Sequence, residues 1–598
     1  MNRKGRRAAF KRDKRPAVPA QGSVDQLAAE ARGLFDEGQF AQAQIICREV
    51  LTRAPAHVDC LNLTGLIAQS SARHTAAIRS FEKAIAADPY NAACHYNIGL
   101  SFQAMNDDTK TAAHFREAIA LGLSGKDIGE FIVQNPAIAA CLERIAAMWP
   151  ARPTIETLFG TDGTAALAGD VFLRCALETT RLYGVSLETL LTELRYALLG
   201  VAVRAAPGFS GVDDATASLC ASLAQQCFLG EYVYAQGEDE ARQAAALRGV
   251  LQERLAAESE VPALLLAIVA AYEPLHALAN ADTLVDMTWP EAFDRLLRQQ
   301  VRAPREEARD HEAIPAITPI GDGVSAEVRQ QYEENPYPRW TVIPDPAPPE
   351  DSGAAPADIL VAGCGTGHHS IATARMYPGA NVLAVDISLA SLAYARRKTR
   401  EAGLRNIEYA QADILHLGSI GRRFDRIEAS GVLHHLADPK AGWRVLLSLL
   451  RPGGTMVVGL YSATARRSIN TARSFAAERG YRATAQDIRA CRAELIRREA
   501  DMLRKDVTSL GDFYAMSECR DLLFNVMEHQ FTIPAIKAFL AEEGLTFLGF
   551  DIDGRIRARF QEQFPDASAL TDLDCWETFE AANPQTFINM YVFYVRAK

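Results

Sequence analysis

Ile359-Leu-Val-Ala-Gly-Cys-Gly-Thr-Gly-His-His-Ser370 begins as an unbroken apolar run and then turns on alternate glycines. Ile359 to Ala362 is the kind of run that a strand buried on both faces of a parallel sheet needs. Gly363, Gly365 and Gly367 follow, and a helical pattern spans about Ser370 to Met376. Strand, glycine turn and helix open a doubly wound α/β domain, which binds ligands at the carboxyl ends of its strands. The glycines permit a tight bend and let a ligand lie directly on the backbone.

A dinucleotide fingerprint reads G-x-G-x-x-G or A and needs a small residue in its last place. His368 stands there, and the glycine falls one position earlier, at Gly367. A second apolar run, Asn381–Val385, ends in Asp386. An acid at that distance accepts hydrogen bonds from both hydroxyls of a ribose. The pattern fits an adenosine-bearing ligand and tilts away from NAD.

Three further stretches complete the pattern. Tyr409-Ala-Gln-Ala-Asp413-Ile-Leu is a third strand ending in an acid. Phe424 to Pro439 is a fourth strand with the loop Leu433-His-His-Leu-Ala-Asp-Pro439. Leu449 to Gly459 is a helix end, a turn and a fifth strand. Motif by motif, over about Asp358–Ser462, this resembles the class I S-adenosylmethionine-dependent methyltransferases. The resemblance implies a Rossmann-like α/β domain with a seven-stranded, mostly parallel sheet, and S-adenosylmethionine as cofactor. It carries Gly363, Cys364, Gly365 and Gly367 over to the methionine part of the cofactor. Asp386 is carried over to the ribose and Asp413 to the adenine amino group, with Ile387, Ile414 and Ser430 among the binding residues. The Leu433–Pro439 loop is placed beside the transferable methyl. Cys364 reads as a small side chain that fits the turn.

Methyl transfer to an activated sulfonium needs positioning and exclusion of water, with no metal and no nucleophile triad. A general base is required only for a protonated acceptor. His434 is the candidate, with His435 beside it; the alternative is that the pair shapes the loop. The Asn/Asp-Pro-Pro-Tyr signature of enzymes acting on planar amide or adenine nitrogens is absent, and Ser430-Gly-Val-Leu433 stands in its place. Two other readings are a scaffold protein whose cofactor domain is catalytically silent, and an NAD-dependent oxidoreductase.

With 598 residues, the chain has room for three or four domains. A hydrophobic content of 48% and a charged content of 23% are those of a globular protein, and no apolar run is long enough to span a membrane. The net charge of −11 argues against a dedicated nucleic-acid binder. The basic residues Arg3 through Arg15 read as a disordered, solubilising tail, 1–22, the alternative being one that touches nucleic acid or an anionic surface; it has no apolar segment of a secretory signal. Eleven cysteines without a repeated spacing read as free thiols in a reducing cytoplasm.

Residues 23–123 carry an internal period of 34. Pro55 and Pro89, Gly65 and Gly99, Phe81 and Phe115, and Ala84 and Ala118 are related by it. That period marks tetratricopeptide repeats, here three units at about 24–57, 58–91 and 92–123. They imply either a partner-binding groove or a packing module. The whole arrangement is similar to bacterial proteins that join such repeats to a class I methyltransferase.

Residues 124–315 are helical by pattern and carry no chemistry motif. Residues 316–350 hold a linker and a stiff aromatic segment, Tyr332 to Trp340, which reads either as a lid over cofactor and substrate, as the class I resemblance implies, or as an interdomain clasp. The methyltransferase domain is expected over 351–598, with a helical insertion at about 464–530. In that insertion Arg466, Arg473, Arg489, Arg492 and their neighbours read as a solvated basic face. Tyr514, Arg520 and His529 are candidate substrate contacts. The acceptor, a small molecule or a protein, is not legible.

Overall fold

The computed structural model describes residues 23–598, apart from 161–163, 207, 210–212, 343–355, 499–500, 589 and 598. The basic tail 1–22 and the first residues of the domain expected from 351 lie outside the described residues. Two compact units divide the chain, Met1–Leu121 and Gly122–Lys598.

The first unit holds three successive helix pairs: Val24–Asp36 with Phe40–Arg53, Val58–Ser70 with His74–Ala87, and Ala92–Ala104 with Asp108–Ala120. The first helix starts on a capping box, in which Gln26 N–H donates to Ser23 Oγ and Ser23 N–H donates back to Gln26 Oε1. The 34-residue period has a steric basis. A Cβ on Gly65 would sit 2.3 Å from the Phe81 ring, and one on Gly99 would sit 2.5 Å from the Phe115 ring. Each glycine thus lets the second helix of its pair lay a phenylalanine against the first.

The second unit is built on one sheet. Its strands are β1 (Asp358–Ala362), β2 (Asn381–Asp386), β3 (Ile407–Gln411), β4 (Phe424–Ser430), β5 (Leu450–Leu460), β6 (Thr546–Phe550) and β7 (Tyr591–Arg596). Their order is β3-β2-β1-β4-β5-β7-β6, with β7 antiparallel to both neighbours and the first five strands parallel. Alternate residues of β1 feed two apolar cores, as the pleat requires. Leu360 and Ala362 join Trp443, Phe539 and Phe593 on one face, and Ile359 and Val361 join Val382 and Leu392 on the other. Each large apolar side chain buried there contributes on the order of 1.5–3 kcal/mol, so these two layers hold the sheet together.

β5 differs in detail from the expected turn and strand. Pairing with β4 runs from Phe424–Leu450 to Arg426–Thr455, so Pro452, Gly453 and Gly454 bulge out of a continuous strand. Proline cannot donate to the ladder, and the bulge removes that demand.

The helical region and the insertion pack together within this unit. Helix Val185–Ala205 presents Glu188, which accepts both guanidinium nitrogens of Arg492 from helix Ala485–Arg497, at 3.0 and 2.7 Å. Arg492 also donates to the carbonyls of Phe513 and Val233. Arg466 and Arg473 both pair with the buried Glu528. The expected solvated basic face is therefore wrong for these positions. Arg492 is 1% exposed and Arg466 5% exposed. Their acidic partners come from distant segments that helical periodicity does not reveal. Among the described residues no helix is long and apolar enough to cross a membrane.

Arg492→Ala leaves the Glu188 carboxylate buried without its partner, so it is expected to lower unfolding free energy by about 3–5 kcal/mol. Denaturant midpoints of the two proteins, compared at equal m-value, check this.

Candidate active site

The loops at the carboxyl ends of β1, β2, β3 and β4 converge on one cavity of about 270 Å³. Gly363, Cys364, Gly365, Asp386, Ile387, Asp413, Ile414 and Ser430 all line it. Gly367 does not. It takes a left-handed φ of 86° and starts helix His368–Met376, and a Cβ there would meet Ala395 at 2.5 Å. Its work is to bring that helix close to helix Leu389–Glu401.

Gly365 is the point of closest approach. A Cβ there would lie 2.7 Å from the carbonyl oxygen of Tyr337. The segment from Tyr332 to Trp340 is thus laid directly on the glycine turn. Thr366 N–H donates to that same carbonyl at 3.3 Å, and Trp340 Nε1–H donates to Thr366 O at 3.1 Å. Tyr332, Tyr337 and Pro338 line the cavity. The segment is anchored on both sides. Glu333 accepts the amides of Leu389 and Ala390 at 2.8 and 2.9 Å. Arg339 pairs with Glu231 of the helical region at 3.2 Å.

Asp386 ends β2. Its Oδ2 accepts Gly365 N–H at 2.8 Å and its Oδ1 accepts Ser388 N–H at 2.9 Å. Burial raises its carboxyl above the usual value, against the pull of these donors. Asp413 follows β3 and is held from the linker: its Oδ2 accepts Gly321 N–H at 3.1 Å, its Oδ1 accepts Leu415 N–H at 3.0 Å, and its own N–H donates to Thr318 Oγ1 at 2.8 Å. Each carboxylate keeps lone pairs beyond those two bonds, as a hydroxyl-bearing or amino-bearing ligand requires. Burial pushes the Cys364 thiol well above its ordinary pKa, so it is an inert wall.

A buried charge group lies beneath the turn. Glu428, in β4, accepts from Thr373 Oγ1 at 2.6 Å and Arg426 Nε at 2.5 Å, and pairs with His369 Nε2 at 2.8 Å. Burial opposes ionisation, but His369 and the other donors bring Glu428 down to about 2. His369, which lines the cavity, is held above its ordinary 6.5: Glu428 outweighs its own desolvation.

The two histidines of the Leu433–Pro439 loop face different surroundings. His434 is fully buried, with its ring 3.9 Å from that of Tyr461, and does not line the cavity. Burial, then His435 and Arg466, hold its imidazole well below 6.5. His435 lines the cavity instead. Both sit on the single 3-10 turn Leu433–His435, whose rotation sends adjacent side chains in different directions. Tyr514, Arg520 and His529 are also off the lining. Tyr514 donates to Thr508 O, Arg520 pairs with Glu334, and His529 N–H donates to His434 O. Sequence reasoning missed Tyr461, which follows β5, and Met590, just before β7, because no motif marks either.

Residues 359–454 match the family model described as a methyltransferase domain. A ubiquinone biosynthesis O-methyltransferase of Cereibacter sphaeroides is 36% identical over 99 residues, 17% of this chain and 39% of that enzyme. An uncharacterized protein of Synechococcus is 28% identical over 252 residues, 38% of this chain and 60% of that protein. The chain therefore spans less than two thirds of the length of these relatives. The solved structure of PKMT2 from Rickettsia typhi in complex with AdoHcy is 18% identical, with a TM-score of 0.33, covering 40% of this chain and 49% of that one. The chain carries a class I methyltransferase domain. A domain of that class implies S-adenosylmethionine as its cofactor. The residues present fit that group: a glycine turn, the half-buried Asp386 and buried Asp413 carboxylates with spare lone pairs, and the apolar side chains of Ile387 and Ile414 share one cavity.

Asp386→Asn removes a charged acceptor, and affinity for S-adenosylmethionine is expected to fall by about 10- to 100-fold, the worth of a charge-assisted hydrogen bond. Titration calorimetry measures it. The His369–Glu428 pair also has a pH signature. A group whose folded pKa is raised stabilises the fold fully below its ordinary value and loses that contribution as pH rises through the folded pKa. The melting temperature of the wild type is expected to exceed that of His369→Gln at about pH 6, with the gap closing toward about pH 9.

Proposed function

We propose that this chain is an S-adenosylmethionine-dependent methyltransferase acting on a small-molecule or protein acceptor. The observation that carries the reading is that the glycine turn, Asp386, Asp413 and the loop after β4 line one cavity. The family-model match and the O-methyltransferase among the relatives support methyl transfer as the reaction. The cofactor, when bound, supplies an activated methyl group; the protein positions it and keeps water out. The aromatic segment Tyr332–Trp340 serves as a lid over that cavity. Its contacts with Gly365 and Thr366 on one side and Glu231 on the other support this role.

The first unit is a set of tetratricopeptide repeats that binds a partner or delivers a protein acceptor. Support comes from the 34-residue period and the glycine–phenylalanine packing that recurs with it. All eleven cysteines are free thiols, which supports a reducing, cytoplasmic setting.

Calorimetry with S-adenosylmethionine and with NADH is expected to give binding of the first only. Methyl-labelled cofactor incubated with the full chain and cell lysate is expected to pass label to a small molecule or a protein. Cofactor binding without any label transfer would favour the silent scaffold instead.

A further inference from the structure

Building on the methyltransferase reading, we propose that His435, and not His434, is the general base of this site, so that its acceptor is a hydroxyl or an amine that must lose a proton. His435 Nδ1 lies 2.8 Å from the carbonyl oxygen of Met527. A carbonyl only accepts, so Nδ1 carries the hydrogen. In the neutral ring that leaves Nε2 as a bare acceptor, and no hydrogen bond from a described residue occupies it. This is how a catalytic imidazole is held in one tautomer, with a backbone carbonyl in the orienting role.

The surroundings keep the ring in place and on the cavity. His435 N–H donates to Val432 O at 3.0 Å. Its ring stands edge-on to Tyr332 at 6.4 Å, to Tyr461 at 6.0 Å and to His434 at 4.4 Å. Tyr332 and Tyr461 line the same cavity, with Leu436 and Met590. The charged groups stand one layer back. Asp521 accepts from Tyr332 Oη at 2.7 Å, and the Arg466 guanidinium lies 3.5 Å over the Tyr461 ring while paired to Glu528. None of them takes Nε2. His434 is stacked on Tyr461 and held neutral by burial, so it adds no charge beside His435.

Protons and electrons balance. The acceptor X–H bond breaks and its proton goes to Nε2, giving an imidazolium whose Nδ1–H bond to Met527 O is retained. The electron pair left on X forms the bond to the methyl carbon. The methyl–sulfur bond breaks with its pair kept by sulfur, and the sulfonium becomes a neutral thioether.

Two measurements on the full chain test this. Nitrogen-15 NMR of histidine-labelled protein is expected to show His435 as the Nδ1–H tautomer when neutral. An Nε2–H tautomer would overturn the proposal, with no need for an acceptor. For His435→Gln, transfer of methyl label into lysate acceptors is expected to drop by about 100-fold or more near neutral pH and to recover partly as pH rises, the signature of a lost general base. Affinity for S-adenosylmethionine should stay within about twofold and the melting temperature should hold. A variant that transfers label like the wild type, with the same pH profile, removes His435 from the chemistry. Absence of label transfer in the wild type itself would sink the methyltransferase reading and leave the tautomer result to stand on its own.

Discussion

The backbone of Tyr337 rests on the backbone of Gly365, with no room for a side chain between them. Much of the site depends on that approach. It fixes where the aromatic segment crosses the glycine turn and so which rings face the cavity. It also links the turn to the helical region, because Arg339, two residues on, reaches Glu231. Any side chain at 365 would push the segment outward, and Thr366 and Trp340 would lose their bonds with it. The glycine serves the protein's own architecture as well as the ligand.

The helical region is tied in by a similar logic. Glu188 and Arg492 are 304 residues apart in sequence and meet as a bidentate pair at 2.7 and 3.0 Å. A buried pair is weak evidence for net stability, since desolvation offsets much of the attraction. It is strong evidence for register: breaking it is costly, so the insertion and the helical region must meet in one arrangement. Met516 N–H on Gly230 O and Ser517 N–H on Glu231 add backbone contacts along the same seam. The wall containing Tyr461 is thereby braced by Arg466, which belongs to the insertion's first turn.

The sheet was legible where a strand buried on both faces leaves an apolar run: Ile359–Ala362 leads into Gly363, and Asn381–Val385 ends in Asp386. Asp413 was placed by the family resemblance, because β3 and β4 carry polar residues along their length. The small residues at a 34-residue spacing were legible too, since packing a phenylalanine against a helix demands them. What could not be read was anything set by long-range pairing. Arg466 and Arg492 look like a wet helix face until Glu528 and Glu188 are brought to them. His434 and His435 are neighbours on one tight turn, and only the fold decides which faces the cavity. Met590 contributes from just before β7, an inner strand that carries no motif.

The stretch just before the sheet blurs the border between linker and domain. Gln411 of β3 donates its amide to Pro315 O and accepts from Ile317 N–H, so 315–317 lie along the outer strand like an unofficial eighth member. Thr318 and Gly321 then clasp Asp413. An excised catalytic module that began near 351 would expose the raw rim of β3 and strip one carboxylate of its splint. For anyone dissecting or transplanting this fold, the fragment that keeps β3 covered and Asp413 held opens about forty residues upstream of its first strand, near Ile314.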